Sequence, residues 1–150
     1  NMELSYDIFT EAFLDKISEY DFIEMNEEDR TANVDRYMKR AIAGFRKVCK
    51  YDLSSTINDE TREFGIDVSD EDVDEIVDII SEGMVFQWLK PRVYKQDLLA
   101  NVLNTKDFSM YSPSELLNRI KELYKETEKR YTQMIREYSY NHNDLTELHI

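Results

Sequence analysis

The sequence has few residues that interrupt helices, since it contains only 3 glycines and 2 prolines among 150 residues. This composition, with 34% charged residues, is typical of long helices and uncommon in sheet proteins. Cys49 is the only cysteine, which excludes an intramolecular disulfide and a zinc site built from several cysteines. A chain of this length buries enough surface to fold without such crosslinks. We therefore expect one mostly helical domain.

Basic residues are scarce and unevenly placed. The formal net charge is −13, with 19 lysines and arginines against 32 aspartates and glutamates. Excess acid repels phosphate, whereas nucleic-acid binding requires clustered cations, so tight DNA binding is not expected. Six of the basic residues nevertheless lie together in 36–50, between two strongly acidic segments. The distribution of charge therefore indicates more about function than the total does.

The sequence also lacks a hydrophobic run long enough to cross a membrane. Its most apolar stretch, SEGMVFQWLKPRVYK, contains a glutamine and several basic residues, whereas a spanning helix needs about 20 mainly apolar residues. The first residues show no basic region followed by an apolar one, as a signal peptide would. We expect a cytoplasmic protein without membrane contact, in which Trp88 of this stretch is a core residue.

Apolar residues at helical spacing predict four to five helices. The clearest start is at 112–115, where a cap serine precedes Pro113 at the first helical position and Glu115 completes a capping box. The other starts are also marked by capping residues. The predicted all-α bundle has helices at about 5–21, 26–50, 69–90, 93–103 and 112–138.

Two boundaries of this bundle follow from local chemistry. Pro91 is expected to stop or kink the third helix at Lys90, before a shorter helix follows. The residues after Tyr138 are polar and lack a sustained period. The predicted organisation is therefore a single helical domain at 1–138 and a C-terminal tail at 139–150, which orders on binding a partner.

Residues 62–68 are the predicted exception to helical structure. Phe64, Ile66 and Val68 alternate with polar or small residues, which is the period of a strand. A single strand cannot form a sheet. This short β segment is therefore expected to pair with another part of the chain or with another subunit.

The basic block is predicted to lie on the face of the second helix opposite its apolar side. We call these residues the basic ridge: Arg36, Lys39, Arg40, Arg46, Lys47 and Lys50. Two interpretations are open at this stage. The ridge is either a solvated face whose cations complement the helix dipole, or a surface that contacts a partner.

An acidic segment at the start of the third helix invites comparison with a calcium-binding loop. We call its principal members the acidic face: Asp67, Asp70, Glu71, Asp74 and Asp78. A calcium loop that began at Asp70 would need glycine at its sixth position and glutamate at its twelfth, where this chain has Glu75 and Ser81. A solvated acidic surface without bound metal is therefore predicted.

Other chemical motifs are missing as well. The chain has no G-x-S-x-G elbow, phosphate-binding loop or dinucleotide fingerprint, and its two histidines, His142 and His149, lack the spacing of a metal motif. No cofactor, metal or catalytic residue is predicted, and we expect a protein that is not an enzyme. Because acids are abundant, a carboxylate metalloenzyme is kept as the third interpretation.

Four segments, YMKRAIAGF, ISEGMVFQWLKPRV, KDFSMYSPSELLNRIKELYKE and MIREYSY, together resemble small helical proteins encoded by tailed phages and prophages of Gram-positive gut bacteria. The chain resembles head-to-tail connector, or adaptor, proteins of the phage neck. The resemblance implies a structural subunit that forms a ring, usually twelve-fold, below the portal protein. The ring extends the DNA channel without specific DNA binding, and its other side meets the stopper or tail-completion protein. The implied locations are the virion neck and, before assembly, the host cytoplasm.

The resemblance also implies which surfaces make contacts. A C-terminal segment of such proteins inserts against the portal, and the matching residues here are Tyr138, Tyr140, Asn141, His142, Asn143, Leu145, Leu148 and Ile150. A ring needs two different patches that meet between neighbours. The basic ridge and the acidic face have opposite charges, so they could meet between subunits or pair within one. The alternative to an adaptor is a regulatory module that presents its basic ridge or its tyrosines to an acidic protein.

Overall fold

The computed structural model describes residues 2–23, 25, 32–94 and 112–142. Within these residues the chain forms four helices and one small sheet, which confirms the predicted helical bundle with a short β segment. In chain order the elements are β1 (Met2–Ser5), α1 (Tyr6–Ser18), α2 (Ala32–Phe45), β2 (Ile57–Asn58), β3 (Glu63–Val68), α3 (Asp70–Tyr94) and α4 (Pro113–His142).

Helix α3 is the centre of the bundle, because it contacts α1, α2 and α4. Apolar residues at helical spacing along it are buried, and so are Ile79, Val85 and Leu89 on its other sides; the residues at helical spacing are Val73, Ile76, Ile80, Met84 and Trp88. A helix that is apolar on most sides belongs in the interior. Trp88 is fully buried and packs edge-on against Phe13 of α1, with 6.3 Å between ring centroids. The predicted core position of the tryptophan is therefore confirmed.

The predicted β segment pairs within the chain. Strand β3 lies between β1 and β2 and is antiparallel to both. Phe64 and Val68 of β3 are buried and alternate with exposed residues, as expected for a half-buried strand. Strand β1 was not predicted, because four residues are too few to show a period. Its Leu4 is fully buried, so packing rather than propensity specifies this strand.

Helices α1 and α2 are both shorter than predicted. Ser5 has the extended backbone of a cap residue, but its side chain makes no capping hydrogen bond, and α1 ends at Ser18 rather than near Asp21. The predicted start of α2 at 26 lies outside the described residues, and α2 ends at Phe45 instead of continuing to Lys50. The backbone N–H of Lys50 donates to the Tyr138 hydroxyl at 3.0 Å. This tertiary bond replaces the helical one that the sequence pattern predicts.

Pro91 does not end α3, which continues to Tyr94. Of the predicted stop or kink at Lys90, the stop is therefore wrong. Proline removes one backbone donor and disturbs the preceding turn. Arg92 holds this turn in place, because its guanidinium donates to the backbone carbonyl of Trp88 at 2.5 Å and lies over the indole ring at 4.7 Å. Most of the next predicted helix lies outside the described residues.

Helix α4 begins where the capping box predicts. The Glu115 N–H donates to the Ser112 hydroxyl at 3.2 Å, and the Ser112 N–H donates to the Glu115 carboxylate at 3.4 Å. These two bonds satisfy N–H groups that the first turn of a helix leaves without partners. The helix then continues to His142. The boundary predicted after Tyr138 is therefore too early.

Candidate functional site

The structure divides the basic ridge into paired and unpaired residues. Lys39 forms an ion pair with Asp59 at 2.9 Å, Lys50 lies 3.6 Å from Asp72, and Arg36 donates to the side chain of Asn33. Within the described residues, the remaining three members make no ion pair although all are exposed to solvent. We call these three residues the unpaired ridge: Arg40, Arg46 and Lys47.

The unpaired ridge is exposed to solvent at the C-terminal end of α2. Arg40 lies on the exposed side of α2, and Arg46 and Lys47 lie in the turn that follows the helix. Between them Ala43 and part of Gly44 are exposed, but the side of Gly44 on which a Cβ atom would lie is covered by the Tyr131 hydroxyl of α4. The two charged ends of this surface therefore flank a short exposed part of α2 beside its contact with α4.

The acidic face is exposed at all five predicted positions, but its members do not act as one cluster. Asp78 bonds to Lys16 of α1 at 2.7 Å. One contact joins the basic ridge to this acidic segment, and it involves Asp72, which was not among the predicted residues. Asp72 is buried because it accepts a hydrogen bond from Tyr51 at 2.5 Å, and this bond lowers the pKa of its carboxyl.

Several acidic side chains line a groove between α1 and α3. The groove has a volume of about 310 Å³ and a floor that includes Ile8, Ala12 and Val77. Its lining also includes Lys16 and carboxylates from both helices. We call it the acidic groove, and its carboxylates are those of Glu11, Asp15, Asp74 and Asp78. The sequence did not predict it, because Glu11 and Asp15 come from a helix about sixty residues away from the acidic face.

Beside this groove, a buried carboxylate joins three helices. Glu82 of α3 is 2% exposed and bonds to Lys16 of α1 at 2.9 Å and to Arg130 of α4 at 2.7 Å. A buried charge is tolerated when it is paired and hydrogen-bonded. The sequence contained one indication of this site, an acid within the apolar run ISEGMVF, which a core position admits only with a partner. The arrangement fixes one wall of the groove relative to the rest of the bundle.

Tyr131 of α4 lies in a notch formed by two glycines. A Cβ atom on Gly44 of α2 would lie 2.6 Å from the Tyr131 hydroxyl, and one on Gly83 of α3 would lie 2.6 Å from its ring. The hydroxyl donates to the carbonyl of Ala41 at 2.6 Å, and burial raises the pKa of Tyr131 to about 12. This tyrosine is a packing residue that sets the distance between helices.

The predicted portal-side residues are separated by the structure. Tyr138 is fully buried, packs edge-on against Phe45 at 4.8 Å and accepts the Lys50 N–H, so it belongs to the core and not to a tail. Its side chain is therefore not accessible for a contact in the structure as it stands. His142 stacks on Tyr138 at 4.1 Å and lies 2.7 Å from the Glu75 carboxylate.

The remaining tail residues fall into two groups. Tyr140 is 68% exposed and Asn141 is also exposed, so both are accessible from solvent on the last turn of α4. The other predicted contact residues lie outside the described part of the chain; they are Asn143, Leu145, Leu148 and Ile150.

A cleft of about 400 Å³ lies next to the end of α2. Its apolar lining includes Phe45 and Leu53, and its polar lining includes Arg46 and Lys50. Cys49 also lines it, but burial raises the pKa of this thiol, which disfavours the reactive thiolate. The cleft therefore has the features of a packing gap with a basic edge rather than those of a nucleophilic site.

In the described residues, no group of three or more histidine, cysteine, aspartate or glutamate side chains is arranged to hold a metal ion. None of the four described helices has the length and apolar character needed to span a bilayer. Comparison with protein-family models, curated proteins and solved structures finds no match to this chain.

Proposed function

We propose that this chain is a structural protein of the neck of a tailed phage. In this role it is an adaptor that forms a ring below the portal protein and extends the DNA channel towards the stopper or tail-completion protein. The proposal starts from the four segments that resemble such proteins. It does not require a cofactor or a catalytic residue.

The observation that supports it most directly is how those four segments pack. Phe45 of the first segment contacts Tyr138 of the fourth, with 4.8 Å between ring centroids. Phe86 of the second segment stacks on Tyr124 of the third at 5.0 Å. The described residues of the four segments thus pack in one helical bundle, as expected if the resemblance reflects a common subunit rather than scattered similarity.

The surface charges are compatible with this role. With a net charge of −13, the subunit does not hold a duplex tightly, which suits a wall past which DNA must move. The exposed unpaired ridge and the acidic groove have opposite charges and share no residue, which suits the two unlike patches that a ring requires.

Electron microscopy of purified virions tests the proposal. A ring of this chain between the portal and the tail is expected, with DNA passing through its centre. Virions whose neck lacks the chain, while the protein is expressed in the infected host, would contradict it.

Portal binding by a truncated chain provides a second test. The truncation should remove 143–150 and keep α4 intact, because deletion from Ser139 onward would also remove the contact between His142 and Tyr138. We expect portal binding to fall at least tenfold while the thermal unfolding temperature is unchanged. A chain with these residues replaced by a glycine–serine segment of equal length is the matched control for length.

Portal binding by the full and the truncated chain also distinguishes an adaptor from a regulatory module. If the truncated chain binds the portal as tightly as the full chain, insertion of the tail is wrong. If neither chain binds a portal, and an acidic soluble protein binds both through the unpaired ridge, the regulatory module is favoured instead.

A further inference from the structure

The acidic groove has the shape and charge of a receptor for a cationic helix surface. Its lining from two helices combines apolar side chains with four carboxylates and one cation, Lys16. Within the described residues, three of these carboxylates make no ion pair, namely those of Glu11, Asp15 and Asp74. The fourth, Asp78, is neutralised by Lys16. The groove thus retains negative charge that nothing in the described chain compensates.

The unpaired ridge has the complementary properties. Arg40, Arg46 and Lys47 are exposed, and the described residues offer them no carboxylate partner. Between them Ala43 is exposed, whereas the Cβ side of Gly44 is covered by Tyr131 of α4. A surface with cations at its ends and a small side chain between them can lie on a narrow groove, so that the cations reach the carboxylates of the groove.

We propose that the unpaired ridge of one subunit docks on the acidic groove of a second copy of this chain. The inference rests on the proposed ring and specifies the two surfaces that form it. Because these surfaces share no residue, each subunit can donate its ridge to one neighbour and offer its groove to the other. Such a head-to-tail contact closes into a ring when the rotation between neighbours permits it.

The electrostatics of the contact predict its dependence on salt. Like net charges of −13 repel two subunits at long range, while the ridge and the groove attract at short range. At 0.1 M salt the Debye length is already about 10 Å, so the long-range repulsion is largely screened and further salt weakens mainly the short-range charge pairs. We therefore expect self-association to weaken at least tenfold between 0.1 M and 0.5 M salt.

Charge reversal of the purified full chain, followed by sedimentation velocity and mass photometry, tests the contact. Arg40→Glu with Lys47→Glu reverses the ridge, and Glu11→Lys with Asp74→Lys reverses the groove. Each double variant should weaken self-association at least tenfold. An equimolar mixture of the two should restore it, because each variant then meets an opposite charge on the other. A chain with all four substitutions, which keeps the net charge of −13, should also associate like the wild type.

Matched controls reverse equal numbers of exposed charges on α4. They are Lys125→Glu with Lys129→Glu, and Glu122→Lys with Glu128→Lys. If Asp74→Lys lowers the thermal unfolding temperature, Glu11→Lys with Asp15→Lys repeats the test without changing α3. Circular dichroism of every variant establishes that the helical content is kept.

Three results would overturn the inference. The first is a wild-type chain that stays monomeric at 0.1 M salt up to millimolar concentration or stops at a dimer. The second is an equal loss of association in the α4 controls, and the third is failure of the mixture to recover. Electron microscopy of virions distinguishes failure of the neck proposal from failure of this inference. A chain that is absent from the neck could still lose self-association on charge reversal and regain it in the mixture.

Discussion

At the scale of single residues, Gly44 and Gly83 determine how closely α4 approaches α2 and α3. A methyl group at either position would overlap Tyr131, which fills the space that both glycines leave open. Helix interiors usually favour alanine over glycine by about 1 kcal/mol. The two glycines are therefore explained by packing against Tyr131 and not by backbone flexibility.

A double-mutant cycle tests this account. Gly44→Ala and Gly83→Ala should each lower the free energy of unfolding, since overpacking costs roughly 1 to 3 kcal/mol. At Gly44 the close contact is the Tyr131 hydroxyl alone, whereas at Gly83 it is the ring itself. Tyr131→Phe should therefore rescue Gly44→Ala but not Gly83→Ala. Urea unfolding of the six chains measures this, and equal rescue at both positions would refute the proposed geometry.

At the scale of elements, Tyr51 connects the segment after α2 to the start of α3. Its hydroxyl donates to Asp72 at 2.5 Å and accepts the backbone N–H of Ser69 at 3.2 Å. The bond from Tyr51 gives the Asp72 carboxylate a second partner besides Lys50. This carboxylate lies near the N-terminus of α3, the positive end of the helix dipole. No local pattern predicts this connection, because Tyr51 and Asp72 belong to different elements.

The Tyr51 contact predicts a pH dependence of stability. The hydrogen bond lowers the pKa of Asp72, so ionised Asp72 stabilises the fold above its unfolded pKa of about 4. That contribution is lost as the pH falls through the lower folded pKa. Tyr51→Phe should therefore reduce the unfolding free energy by about 1 kcal/mol at pH 7, and by less once the pH lies below the folded pKa of Asp72.

Urea unfolding at several pH values measures this difference. Tyr140→Phe removes the same hydroxyl from an exposed site and should have no effect at any pH. If Tyr51→Phe reduces the unfolding free energy equally at pH 7 and in acid, the stabilisation does not come from ionised Asp72.

At the scale of the whole molecule, one core joins the four described helices. The three other helices pack on α3, and Glu82 ties α1 and α4 to it through Lys16 and Arg130. The sheet is attached to the same core, because Phe64 of β3 contacts the rings of Tyr6 and Phe9, with centroid distances of 5.2 and 5.6 Å. The described residues therefore lack a natural division into independent parts.

This shared core predicts a single cooperative transition on unfolding. Trp88, the only tryptophan, is fully buried at the centre and reports tertiary structure by its fluorescence. Far-ultraviolet circular dichroism reports the helices. The two urea transitions should have the same midpoint, as for a two-state domain. Loss of tryptophan burial at a lower urea concentration than loss of helix would contradict a single core.

The sequence by itself determined the features that depend on near neighbours. These are the helical class, the capping box that starts α4, the buried position of Trp88, and the exposure of Arg40 on the outer side of α2. Each follows from composition, from hydrophobic period or from the hydrogen bonds of a single turn.

Only the tertiary structure decided which distant residues meet. The end of α2 depends on Tyr138, the partners of Glu82 come from two other helices, and the acidic groove combines α1 with α3. Residues separated by forty or more positions leave no local pattern that specifies their contact. Their pairing is determined by the packing of whole helices around α3, because only that packing brings the side chains within bonding distance.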